Sequence, residues 1–145
     1  MGKILEIGIS NSKGNKIKKV NIVQSLKGKG LLDDRKFKNN NSKESQITLV
    51  EIENINYFNN ISKTNIAPLN FRRNIITENI RLNDLVGKEF IIGNVKLKGH
   101  DLCRPCKYLQ DKLRQNNFVK EFLRRGGLRC EILISGKIYV GDIIK

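Results

Sequence analysis

Two stretches dense in isoleucine and valine, Lys3 to Ser10 and Lys16 to Ser25, flank the polar run Asn11-Ser12-Lys13-Gly14-Asn15. Apolar β-branched segments around a turn-forming run predict a hairpin. From Lys27 to Ser45 the pattern dissolves into glycine, asparagine and lysine, which predicts a long loop, and long loops in compact domains are often functional. Gln46 to Val50 reads as a strand. Glu51 to Asn60 places Ile52, Ile55 and Phe58 at helical spacing with carboxylates in the first turn, which predicts a short helix. Further on, Phe71 to Thr77, Glu89 to Ile92 and Val95 to Lys98 read as strands, the last two forming a hairpin about Gly93-Asn94. Pro105 at a first helical position, followed by Cys106, Leu109 and Leu113, predicts a helix over 105–115. A second helix is predicted over 117–125, stopped by Gly126-Gly127. Leu128 to Ile134, Lys137 to Val140 and Ile143-Ile144 close the chain as strands.

Short strands joined by tight turns therefore dominate, with about three short helices. The expected fold is mostly β, a β-barrel or strongly curved sheet of short antiparallel strands with helices at its mouth; a sandwich is the competing arrangement. The 145 residues suit one domain, 1–145, large enough to bury a core without metals or disulfides. No apolar run approaches the roughly 20 residues of a membrane-spanning helix. The start, MGKILEIGIS, lacks the apolar stretch of a signal peptide, so the expected location is the cytoplasm.

Charge changes this picture only in part. The net charge of +14 favours anionic ligands, including phosphorylated cofactors. Yet lysine, isoleucine and asparagine together supply 57 of the 145 residues, the bias an AT-rich genome imposes on any protein. The phenylalanines and tyrosines do not interleave with basic residues as a base-stacking platform requires, so nucleic acid is not the expected partner.

The three cysteines carry the candidate chemistry. Two lie in Cys103-Arg104-Pro105-Cys106, His100 precedes them by three residues, and Cys130 lies far downstream. Four readings fit this spacing. His100, Cys103, Cys106 and Cys130 could supply the four ligands of a structural zinc site. Cys103 and Cys106 could form a redox pair, although the first thiol then precedes the helix, the reverse of the usual dithiol arrangement. Cys106 alone, at a helix start between Arg104 and Lys107, could be a ligating thiolate favoured by the dipole and two cations. All three could instead be small buried hydrophobes.

A resemblance then bears on the choice. Phe71-Arg72-Arg73-Asn74-Ile75-Ile76-Thr77, Leu82-Asn83-Asp84-Leu85-Val86-Gly87, Ile92-Gly93-Asn94-Val95-Lys96-Leu97 and Leu102-Cys103-Arg104-Pro105-Cys106-Lys107-Tyr108-Leu109 resemble the MOSC domain, named for the C-terminal part of molybdenum-cofactor sulfurases. Gly30 to Lys36 resembles the family's glycine-aspartate-arginine-histidine loop, Gln46-Ile47-Thr48-Leu49 its strand, and Gly126-Gly127-Leu128-Arg129 with Val140-Gly141-Asp142 its closing segments. The matches span nearly the whole chain in order.

The resemblance implies a β-barrel-like MOSC fold and a role around the molybdenum cofactor, a phosphorylated pterin. It places the metal-ligating, reactive thiol on Cys106 and the cofactor contacts on Arg72 and Asn74. A guanidinium fork suits a phosphate, an amide suits a pterin edge, and molybdenum is thiophilic. It implies a carrier that holds the cofactor, or holds sulfur on a cysteine for cofactor sulfuration. The alternative activity is a molybdenum-dependent reductase of N-hydroxylated compounds served by an electron-donor partner. Expected partners are a sulfur donor such as a cysteine desulfurase, cofactor biosynthesis enzymes and molybdoenzymes. Two loop positions depart from the family: Asp33 stands where glycine is frequent, and Lys36 where histidine is. The reductases also carry an N-terminal subdomain with phosphate contacts, for which a chain of this length has no room.

Overall fold

The computed structural model describes residues 1–12, 16–105 and 107–145. Its strands are β1 (Gly2–Ile9), β2 (Lys18–Val20), β3 (Ile22–Leu26), β4 (Gly30–Leu31), β5 (Ile47–Glu51), β6 (Ile75–Glu78), β7 (Glu89–Ile92), β8 (Val95–Leu102), β9 (Leu128–Ile134), β10 (Gly136–Tyr139) and β11 (Ile143–Ile144). Its α-helices are α1 (Ile52–Ser62), α2 (Lys107–Leu113) and α3 (Phe118–Glu121). Seven strands run β11-β7-β8-β9-β5-β6-β1, and pairing of β1 with β11 closes them into a barrel, with β2 added beside β1. The closure rests on Gly2 opposite Ile144 and Lys3 opposite Ile143. Closure removes the exposed strand edges that an open sheet of this size would leave.

The mostly β barrel with three helices is the fold the pattern predicts. Among the named strands of the described residues, β5 and β6 run parallel, with Leu49 opposite Ile75, and α1 supplies the crossover that parallel neighbours need.

Two apolar clusters hold the fold. Inward-facing residues of the strands, among them Ile4, Ile7, Leu49, Ile75, Leu97, Leu128 and Ile132, fill the barrel. Outside it, α1, α2, α3 and the 3-10 turn Pro68–Phe71 pack around Phe58, Phe71, Phe118 and Phe122. These four rings lie 5.0–6.1 Å apart, from edge-on for Phe58 against Phe118 to stacked for Phe118 on Phe122. The second cluster also takes in Leu109 of α2, so it fixes the helix that follows the Cys103–Cys106 segment.

Four local predictions need correction. Lys16 to Ser25 is not one strand: it breaks at Asn21, β2 stays on β1, and β3 leaves to form a separate sheet with β10 and β4. The Asn21 carbonyl at the break accepts the N–H of Val140, just past β10, at 3.0 Å, so a long-range contact sits at the division. The turn expected in this hairpin, at 13–15, lies outside the described residues. Phe71 to Thr77 is strand only from Ile75, because Pro68 starts a 3-10 turn that ends with Arg72 in a left-handed conformation, φ 63°. The helix predicted over 117–125 is helical only from Phe118 to Glu121; Arg124, at φ 62°, belongs to the turns that follow. The helix predicted over 105–115 is described from Lys107 and ends at Leu113, with Arg114 left-handed at φ 57°. Among the described residues, no helix is long and apolar enough to cross a membrane.

Candidate cofactor site at the barrel end

The loop after β4 is irregular but fixed. Asn41, nearly buried, donates its amide to the carbonyls of Lys29 at 2.9 Å and Lys36 at 2.6 Å, so one side chain gathers two turns of the loop. Asp34 accepts the Ser10 N–H at 2.9 Å, and the Arg35 N–H donates to the Ser10 carbonyl at 2.6 Å, which staples the loop to the end of β1. Asp33, just before, has φ 71°. That left-handed conformation favours glycine, which the resemblance leads one to expect here, and aspartate is among the few others that adopt it readily. The departure at Asp33 therefore preserves the turn.

Arg72 and Asn74 come to this loop from the other side. The left-handed Arg72 reverses the chain after the 3-10 turn and lets Asn74 enter the sheet between β1 and β5. Asn74 is buried and acts as a clamp. Its Oδ1 accepts the Thr48 N–H and the Thr48 hydroxyl, both at 3.1 Å, its Nδ2 donates to the Gly8 carbonyl at 3.1 Å, and its own N–H donates to Thr48 Oγ1. One amide hydrogen remains without a partner among the described residues. Ser10, Asp34, Arg35, Lys36, Thr48, Arg72 and Asn74, with the apolar Ile17, line a mainly polar recess of about 10 Å³, room for about one water.

Beside the recess, Arg73 donates from Nε to the Gly126 carbonyl at 2.8 Å, and the Cys103 N–H donates to the Gly127 carbonyl at 2.7 Å. A Cβ on Gly126 would lie 2.5 Å from the Cys103 carbonyl oxygen, so glycine is required for the closing segment to lie against the cysteine segment. Cys103 is buried. The Lys36 ammonium is held below the usual lysine value, first by the protein around it and then by the neighbouring Arg35 and Arg73 charges, with the Cys103 sulfur acting in the opposite sense.

The recess thus unites Arg72 and Asn74, two of the three residues predicted for the site; the third, Cys106, lies outside the described residues. The zinc arrangement is not assembled among the others. His100 Nε2 lies 2.8 Å from Glu131 Oε1, whereas Cys130, next in sequence to Glu131, points into the barrel core. Among the described residues, no group of three histidine, cysteine, aspartate or glutamate side chains is placed to hold a metal. Burial also pushes the Cys130 thiol well up, which leaves little thiolate there.

Ser10, Asn41, Gln46 and Thr48 were not among the predicted site residues. Gln46 accepts the Ile132 N–H at 2.9 Å and is buried, as is Thr48. Gln46 and Thr48 were signalled in the sequence by the family-like strand they belong to and as polar side chains within the otherwise apolar run of Gln46 to Val50, and Thr48 belongs there because it faces Asn74.

The family model of the MOSC domain matches residues 34–145, from the stapled loop through the last strand. The chain belongs to the MOSC domain family. Solved structures agree with this membership in their fold. The YuaD protein from Bacillus subtilis superposes with a TM-score of 0.82 at 20% identity, over 99% of this chain and 94% of its own. YiiM from Geobacillus stearothermophilus gives 0.80 at 16% identity, over 99% and 74%, and YiiM from Escherichia coli 0.74 at 14%, over 99% and 68%. At such identities the likeness is one of fold. A search of curated proteins finds no match. MOSC domains are linked to molybdenum-cofactor-related proteins, and the recess described above lies within the matched part of this one except for Ser10 and Ile17.

Proposed function

We propose that this MOSC domain is a molybdenum-cofactor carrier that holds the cofactor, or sulfur destined for it, with Cys106 as the thiol that ligates the metal or bears the sulfur. The observation that supports the reading is the convergence of Arg72 and Asn74 on one recess rimmed by Arg35 and Lys36, next to the segment that leads into Cys106.

The donor chemistry fits a phosphorylated pterin. Arg72 brings a guanidinium, which takes a phosphate in a fork, and Asn74 has one amide hydrogen to offer a ring acceptor. The recess admits about one water, so such a group would occupy its mouth, with the side chains above reaching to it. When bound, the cofactor supplies two-electron chemistry at molybdenum; the chain's own part is to bind and orient it. Sulfur would arrive as a persulfide on a donor such as a cysteine desulfurase: the Cys106 thiolate attacks the terminal sulfur, the donor thiolate leaves, and Cys106 keeps the persulfide. Receiving partners would be cofactor biosynthesis enzymes and molybdoenzymes, in a cytoplasmic setting.

Thiol reactivity is a first check. Alkylation at neutral pH with peptide mapping should label Cys106 first and Cys130 last, since Cys130 is buried with its thiolate disfavoured. Preferential labelling of Cys130 would contradict the assignment.

Thermal melts with and without a chelator, beside Cys106→Ser, separate a carrier from a zinc scaffold. A carrier folds on its apolar core, so the substitution should abolish persulfide or cofactor binding with little change in melting temperature. A structural zinc site contributes on the order of 10 kcal/mol to folding, so a large chelator-induced drop would refute the carrier reading. Reductase activity at the same site would appear instead as turnover of an N-hydroxylated compound that needs an added electron donor.

A further inference from the structure

Besides Arg72, four cations gather at the recess from different parts of the chain. Arg35 and Lys36 line it from the stapled loop. Arg73 is held beside it by its bonds to the Gly126 carbonyl and, at 3.4 Å, the Phe71 carbonyl. Arg129 enters from β9: it stands directly opposite Thr48 of β5, itself a lining residue, and directly paired residues project on the same face of a sheet.

Among the described residues, none of the four has a carboxylate within ion-pair distance. The two acids nearby are engaged elsewhere. Asp34 lines the recess but accepts the N–H groups of Ser10 and, at 3.4 Å, Lys36. Asp101, opposite Arg129 on β8 where a register shift follows Gly99, accepts the Leu102 N–H at 2.8 Å and lines a separate pocket with Arg104 and Leu123. One carboxylate among so many cations leaves an excess of like charge that repels and weakens the fold, and an anion bound there would relieve this. Burial first lowers the proton affinity of Lys36, and Arg35, Arg73 and Arg129 lower it further, which is consistent with such mutual repulsion.

We infer that Arg35, Lys36, Arg73 and Arg129 form a subsite for a tetrahedral oxyanion, either free or as a phosphate monoester, at the mouth of the recess. The inference deepens the cofactor reading by assigning an anionic group to residues other than Arg72 and Asn74.

The test uses the full chain free of metal and pterin, at low ionic strength. Inorganic phosphate and phenyl phosphate are titrated calorimetrically, with sodium chloride at matched ionic strength as the control. Saturable binding of phosphate, absent with chloride, is expected. Lys36→Gln and Arg129→Gln should each weaken it about tenfold, Lys36→Arg should restore most of it, and Lys137→Gln, on β10 away from the recess, should leave it unchanged. Equal affinity for the two ligands would assign the site to the oxyanion itself, and preference for phenyl phosphate to a phosphorylated ligand. A response to phosphate no larger than that to chloride, or equal weakening by Lys137→Gln, would reduce the cluster to general charge and overturn the proposal. Cys106→Ser should still bind phosphate. Should phosphate bind while molybdenum does not, the subsite stands and the cofactor reading fails; the reverse result separates them the other way.

Discussion

Asn74→Ala should destabilise the protein by about 3 kcal/mol or more, whether or not any cofactor is present. The substitution strands the buried Thr48 N–H and the Gly8 carbonyl, each costing about 1–3 kcal/mol when left unpaired away from water. It also cuts the side-chain link between β1 and β5 at the end of the barrel that carries the recess. Denaturant unfolding should show a lower midpoint at unchanged slope. A change below about 0.5 kcal/mol, within the ordinary range of surface substitutions, would contradict the clamp. Arg72→Gln makes the contrast: it should leave stability nearly intact and weaken anionic ligands.

Phe58→Ala should have an effect of similar or larger size, about 3–5 kcal/mol, the usual range for removing a buried ring. Phe58 is fully buried, lies edge-on to Phe71, Phe118 and Phe122, and connects α1 to α3 and the 3-10 turn. Its consequence reaches the candidate site because Leu109 of α2 packs in the same cluster, so loosening the cluster loosens the helix that follows Cys106. Hydrogen exchange should show α2 and α3 losing protection before the barrel strands. Uniform loss across barrel and helices would mean that the two cores do not behave as separate units.

What the sequence revealed and what it concealed divide by the range of the interactions involved. The β7–β8 hairpin was legible because Gly93-Asn94 sits between two short apolar runs, and Gly93 has the positive φ, 57°, that such a turn uses. The helix α1 was legible because Ile55 and Phe58 repeat at helical spacing and both are buried. The strand break at Asn21 was not, since the hydrogen bond that sits there runs to Val140, far along the chain. Likewise, the Arg-x-Asn motif announced Arg72 and Asn74 as neighbours at a site, but nothing local to Asn74 reveals that its amide serves Thr48 and Gly8, 26 and 66 residues away. The resemblance located the recess; the division of labour between a structural asparagine and a ring of cations depends on contacts that only the folded chain contains.

The carrier reading meets its most direct test in the metal and pterin content of protein purified from a molybdate-fed host, wild type beside Cys106→Ser. Molybdenum and pterin should accompany the wild type in equal amounts and be lost from Cys106→Ser while its melting temperature stays nearly the same. Protein that carries neither these nor a persulfide on Cys106, or that carries zinc in their place, or a Cys106→Ser variant that keeps its molybdenum, would contradict the account.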